Sequence, residues 1–269
     1  MPREDVRISF EDRGYYFGDG VYEVFRIYNG MLYEKEAHLR RLERSAREIR
    51  LPLPFALDEI SEMIHALVEK ENVADGILYL QITRGVAPRS HLFPEQTAPT
   101  LLAYCKPVAR PVQAMEQGIS AITIPDLRWL RCDIKTLNLL PNTLAKQEAA
   151  DRGADEAILH RDGTVTECSA SNIMLVKNGI IRTHPANHLI LHGITREVVL
   201  RLSRRLEIEV EERPFSLDEM AQADELFITG TTVEITPIIA VDDRPVGTGV
   251  PGPVTRTLQE AFSETIHQR

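Results

Sequence analysis

The chain has 269 residues, of which 43% are hydrophobic and 26% charged, and its net charge is −9 at pH 7. This length holds one large or two medium domains with a sizeable core, and the balance is that of a soluble globular protein. The acidic excess argues against a nucleic-acid partner, and no apolar run is long enough to span a membrane; the start, Met1-Pro2-Arg3-Glu4-Asp5, has no signal-peptide core, so a cytoplasmic protein is expected.

Gly14 to Gly20 reads as a glycine-punctuated loop and not as a dinucleotide fingerprint, because no helix is expected after it. Val21 to Ile27 alternates with β-rich composition, and Asn29-Gly30 before Met31-Leu32-Tyr33 predicts a hairpin. Glu36 to Ile49 places Leu39, Leu42, Ala46 and Ile49 on one helical face and is ended by Pro52 and Pro54. The other face carries Arg40, Arg41, Arg44 and Arg47. Such a face is solvated, unless an arginine turns inward beside His38, where guanidinium would suit a phosphate. A second helix covers about Leu57 to Glu71. Strands at Gly76 to Arg84 and Thr100 to Cys105 flank a proline-stiffened loop carrying Arg89 and His91. Lys106 to Pro111 breaks the pattern, which divides the chain into a first domain, 1–107, and a second, 116–269.

The second half opens with a strand at Ile119 to Ile124. A helix from about Pro141 to Arg152 stops at Gly153. Strands Glu156 to His160, Val165 to Val176 and Ile180 to Thr183 form a meander through the Asp162-Gly163 and Asn178-Gly179 turns. Gly193-Ile194-Thr195 opens a helix through Leu206 with Thr195 as N-cap. Glu225 to Thr229 is a short strand, Thr231 to Pro237 a hydroxyl-rich turn, and Val254 to Ile266 a closing helix. Cys105, Cys132 and Cys168 are odd in number and lack metal-ligand spacing, so reduced thiols and no metal site are expected. Cys168 reads as a nucleophile or as a small core residue.

Four kinds of group carry chemistry, one of them the arginines of the first long helix, which could complete an anion cradle. Lys135 stands among Ile134, Leu137, Leu139 and Leu140. Desolvation there would lower its pKa and free the amine as a nucleophile, the setting of a Schiff-base lysine; the alternative is a solvated loop lysine. Glu167 lies mid-strand, either facing solvent or offering a carboxylate to a ring nitrogen. Gly193-Ile194-Thr195 presents N–H groups at a helix start, an anion cradle. Pyridoxal 5'-phosphate asks for this set: an aldehyde for the lysine, a pyridine nitrogen for the carboxylate, a phosphate for the cradle.

The segments EDRGYYFGDGVYEV, HLRRL, QITRG, PRSHLFP, RWLRCDIKTLNLL, LAKQEA, EAILHRDGTVTECSASN, THPANHLILHGITR, DELFITGTTVEITP and TRTLQEAF run in this order from Glu11. Together they resemble the class IV (fold type IV) pyridoxal-phosphate aminotransferases, and D-amino acid aminotransferases most of all. The resemblance implies an α/β protein with a small N-terminal α/β domain, a larger β-rich domain surrounded by helices, and the cofactor in the cleft. It implies ping-pong transfer of an amino group from a D-alanine-like donor to a 2-oxoglutarate-like acceptor through pyridoxamine phosphate. Lys135 would form the Schiff base and shuttle the α-proton, and Glu167 would keep the pyridine nitrogen protonated. Arg41, Ile194, Thr195, Thr231 and Thr232 would bind the phosphate, with Arg40 left on the surface, and Leu191 would pack on the ring. Tyr22, Arg89 and His91 would hold the substrate carboxylate, the Arg89–His91 loop serving the other subunit of an obligate homodimer.

Departures from the family pattern carry expectations too. Members usually have a longer segment before Glu11 that forms an edge strand, and a chain lacking it should have a looser small domain. Gly230 and Ala170 stand where relatives often carry serine, which implies weaker cofactor retention. An L-branched-chain aminotransferase or an aminodeoxychorismate lyase would share the lysine, glutamate and cradle, and a non-catalytic cofactor-binding protein is the rival from another class. The pair Arg89-x-His91 favours D-amino acids.

Overall fold

In the computed structural model, which describes residues 3–267, the chain divides into two units: residues 1–108 with 134–139, and residues 109–133 with 140–269. The class is α/β, with helices against an antiparallel sheet in the first unit and against a large mixed sheet in the second.

The first unit contains α1 (Arg13–Phe17), β1 (Gly20–Tyr28), β2 (Met31–Leu32), α2 (Lys35–Glu48), α3 (Leu57–Glu71), β3 (Gly76–Thr83) and β4 (Thr100–Pro107). Its strands are antiparallel in the order β2-β1-β3-β4. The hairpin turn falls at Asn29-Gly30, both with positive φ, as its dipeptide demands. Alternation sends Val21, Phe25 and Ile27 of β1 and Leu78, Leu80 and Ile82 of β3 into a core with Leu39 and Leu42 of α2 and Ile60 and Ile64 of α3. Each such side chain contributes about 1.5–3 kcal/mol by leaving water. The loop expected at Gly14 to Gly20 begins as a helix instead, because the Asp12 carboxylate accepts the Gly14 N–H at 2.8 Å and caps it.

The lysine segment departs from expectation. Its sequence position grouped Lys135 with the second domain, whereas Ile134–Leu139 belongs to the first unit. The edge of β1 captures it: Tyr22 N–H donates to Lys135 C=O at 3.1 Å, Leu137 N–H to Gly20 C=O at 3.1 Å, and Val21 and Thr136 form a bridge. A Cβ on Gly20 would lie 2.8 Å from Leu137 Cδ1, so the close approach needs glycine there.

The second unit contains α4 (Val112–Gln117), β5 (Ile119–Pro125), α5 (Leu140–Asp151), β6 (Glu156–Arg161), β7 (Thr164–Cys168), β8 (Asn172–Lys177), β9 (Ile180–Thr183), α6 (Ile194–Arg205), β10 (Val210–Glu212), α7 (Leu217–Ala221), β11 (Glu225–Gly230), β12 (Glu234–Val241), β13 (Arg244–Pro245) and α8 (Pro253–His267). Its sheet runs β10-β9-β8-β11-β12-β5-β6-β7, with β13 on β12. The single strand expected from Val165 to Val176 is broken at Ser169–Ser171, where Cys168 N–H turns back onto Ser171 C=O. The hydroxyl-rich turn ends early, since Glu234 onward pairs with β11. Gly193 caps α6 in place of Thr195, which lies within the helix. Cys168 is buried in the core with Ile158, Val165 and Phe215. Among the described residues no helix is long and apolar enough to cross a membrane.

Candidate active site

In the first unit the alternation of β1 turns Glu23 inward with Val21, Phe25 and Ile27, and its side chain is fully buried. Two residues of α2, one turn apart, meet it. Arg41 donates from Nε to Oε1 at 2.7 Å and from Nη2 to Oε2 at 2.9 Å, and His38 Nδ1 lies 2.7 Å from Oε2. Burial alone would raise the Glu23 pKa, but Arg41 and His38 outweigh it and hold the carboxyl well below its ordinary value. Burial, aided by the Arg41 and Lys135 charges, lowers the His38 pKa despite Glu23. A neutral His38 beside an ionised carboxylate carries its proton on Nδ1. Arg41 therefore faces inward and Arg40 is exposed.

Lys135 is half-buried rather than sealed in apolar surroundings: Ile134 is buried, but Leu140 is 70% exposed. Its N–H donates to Ser45 Oγ at 3.3 Å, and Nζ sits 4.1 Å from the centroid of the Tyr22 ring. Tyr22 stacks on Tyr79, on the sheet face opposite Glu23. Arg89 and His91 lie on the exposed loop after β3, and both meet Phe17. Tyr22 is thus gathered with Lys135, and Arg89 with His91. A shallow groove of about 450 Å³, lined in part by Glu43, Arg47, Leu51 and Phe55, contains none of these residues.

In the second unit Glu167 is 4% exposed on β7. Its Oε1 accepts from Arg128 Nη1, its Oε2 accepts from Asn172 Nδ2 at 2.9 Å, and Leu191 N–H lies 3.1 Å from both oxygens. Asp126 aligns Arg128 through two bonds of 2.9 and 2.8 Å. Burial still pushes the Glu167 pKa above its ordinary value, against the pull of Arg128 and Leu191 N–H. Asn172 Nδ2 also donates to Leu191 C=O at 2.9 Å. A Cβ on Gly193 would stand 2.0 Å from Asn172 Oδ1, so glycine lets the start of α6 close on this network. Ile194 and Thr195 follow in the first turn of α6, whose leading N–H groups have no acceptor within the helix. Thr231 is half-buried and Thr232 exposed just after β11. Thr229 Oγ1 is buried with no hydrogen-bond partner among the described residues, which leaves a hydroxyl for a polar ligand atom.

A family model described as amino-transferase class IV matches residues 20–241. A D-alanine aminotransferase of Bacillus licheniformis is 47% identical over 266 residues, 99% of this chain and 94% of that protein. The chain belongs to the class IV aminotransferases. The branched-chain amino acid aminotransferase of Escherichia coli superposes on this class IV chain with a TM-score of 0.95 at 29% identity, covering 99% of this chain and 91% of that one. The branched-chain aminotransferase of the archaeon Thermoproteus uzoniensis, solved with norvaline, does so with a TM-score of 0.89 at 28% identity, covering 99% and 91%. The protein is therefore a transaminase. Glu23, Arg128, Asp126 and Asn172 join these networks without standing out in the sequence. The alternation of β1 carried a signal for Glu23; Arg128 and Asn172 gave none, because their partners are distant or sit across a broken strand.

Proposed function

We propose that this transaminase moves the amino group of a D-amino acid, D-alanine first among those to try, to a 2-oxo acid such as 2-oxoglutarate, with pyridoxal 5'-phosphate as cofactor. The observation that carries the reading is the buried Glu167, held by Arg128, Asn172 and Leu191 N–H beside the start of α6. A carboxylate and a helix N-terminus tied into one network suit a ring nitrogen and a phosphate on one molecule. When bound, the cofactor supplies an aldehyde that takes up the amino group and a protonated ring that accepts the electron pair left at the substrate α-carbon. Glu167 would keep the ring nitrogen protonated, and Leu191 would hold the ring. Arg41, its direction set by Glu23, would offer a guanidinium to phosphate from the first unit, and Ile194, Thr195, Thr231 and Thr232 would offer N–H and hydroxyl groups to phosphate from the second. Lys135 Nζ takes the α-proton as general base and returns it as general acid.

Tyr22, Arg89 and His91 hold the substrate carboxylate, the Arg89–His91 loop of each subunit serving the other in a homodimer. The free thiols Cys105, Cys132 and Cys168 suit the reducing cytoplasm. Identity of 47% to a D-alanine enzyme against 29% to a branched-chain enzyme favours D-amino acids, while the TM-score of 0.95 keeps L-branched-chain substrates as the second reading.

One spectrum tests the choice. The visible band of the protein-bound cofactor should bleach on adding D-alanine without oxo acid. Bleaching by L-leucine but not by D-alanine would overturn the D-specific reading.

A further inference from the structure

The first unit holds a buried charge cluster beneath the Arg89–His91 loop that the proposed function leaves unused. Arg13 and Arg84, each 3% exposed, share one carboxylate. Arg13 Nε and Arg84 Nε both donate to Asp19 Oδ2 at 2.8 Å, and Arg84 Nη2 donates to Oδ1 at 2.9 Å. Arg84 directs further bonds at the Ile49 and Arg50 carbonyls, and its guanidinium carbon lies 3.7 Å from the centroid of the Phe93 ring. Arg13 directs Nη1 at Ser90 C=O, 2.6 Å away, and at Leu92 C=O, 3.3 Å away. Ser90 is the residue between Arg89 and His91. Phe17 completes the arrangement: its ring lies 5.5 Å from that of His91, and 4.7 and 5.2 Å from the guanidinium carbons of Arg13 and Arg89.

We infer that Arg13 is a positioning residue for the carboxylate-binding pair: from the Asp19 cluster it fixes the backbone between Arg89 and His91, while Phe17 seats their side chains. This rests on the reading that Arg89 and His91 bind the substrate carboxylate. Arg89 to Phe93 are all exposed, so core packing does not hold this loop in the subunit. Charge-assisted bonds from a buried guanidinium to two of its carbonyls do, and these are stronger than neutral ones. Cation–π contact with Phe17 orients the Arg89 guanidinium. The planar fork is essential, because a lysine at position 13 would present one point of charge to Asp19 or to Ser90 C=O.

The test is steady-state kinetics of the holoenzyme with D-alanine and 2-oxoglutarate for Arg89→Ala, Arg13→Lys and Phe17→Leu. Arg13→Lys is expected to raise both KM values about tenfold, since a bond from a charged donor is lost. Its kcat should change by less than about threefold, with an unaltered cofactor spectrum. If Arg89→Ala raises KM while Arg13→Lys and Phe17→Leu leave it unchanged, the inference is overturned and the functional reading stands. If Arg89→Ala itself leaves KM unchanged, the functional reading fails and the inference with it. Should Arg13→Lys not fold, Phe17→Leu decides alone, because it leaves the Asp19 cluster whole: a raised KM supports the platform and an unchanged one overturns it.

Discussion

Arg41 clasps Glu23 through both carboxylate oxygens, in a site from which water is excluded. Glu23→Gln would leave that guanidinium buried against a neutral amide. Breaking a buried pair from one side costs about 3–5 kcal/mol, so the urea midpoint should fall markedly. Arg41 would also lose its fixed direction, and equilibrium dialysis should show weaker cofactor binding. An unchanged midpoint would mean that the pair carries no stability.

The same cluster sets a pH dependence. The folded Glu23 pKa lies below its ordinary 4.5, so its stabilising contribution is complete above that value and is lost as pH falls toward the folded one. The folded His38 pKa is lowered from 6.5, chiefly by burial, so it too stabilises above its ordinary value and loses that contribution on acidification. Unfolding in urea at about pH 7.5, 5.5 and 4 should show stability falling at each step. Glu23→Gln should lack the lower step.

Arg128 joins Asp126 to Glu167. In Arg128→Ala Glu167 loses its counter-charge while Asp126 keeps Arg161, whose Nε lies 3.1 Å from Oδ2, and the already raised Glu167 pKa should rise further. A protonated Glu167 cannot act as the counter-ion of a protonated ring. Cofactor affinity is expected to drop at least about tenfold by dialysis. Retained affinity would show that Asn172 and Leu191 N–H suffice.

Lys135 enters the fold through its backbone, and its half-buried side chain contributes little packing. Lys135→Ala should leave thermal stability of the cofactor-free protein within about 0.5 kcal/mol. Turnover in a coupled pyruvate assay should fall by more than about a thousandfold. Near-normal turnover would remove Lys135 from the chemistry.

A Cβ on Gly230 would meet Val233 Cγ2 at 3.1 Å and Ser171 Cβ at 3.6 Å, so a serine fits if Val233 shifts slightly. Gly230→Ser should tighten cofactor binding severalfold by restoring a hydroxyl beside Thr231. Equal or weaker binding would show that this hydroxyl is not what limits retention.

Local pattern by itself determined much of this protein. The alternation of β1, the Asn29-Gly30 turn and the apolar face of α2 follow from side-chain periodicity and turn sterics within a few residues. Motif resemblance supplied the candidate residues. Only tertiary structure decided what each of them touches. Arg128 reaches Glu167 across 39 positions, and Arg13 reaches Ser90 across 77. Capture of the lysine segment by the edge of β1, and the break at Ser169–Ser171, were likewise decided there. Periodicity tells which face a side chain takes, but a buried charge is satisfied by whatever partner the chain brings back from far along its length, and no local spacing encodes that partner.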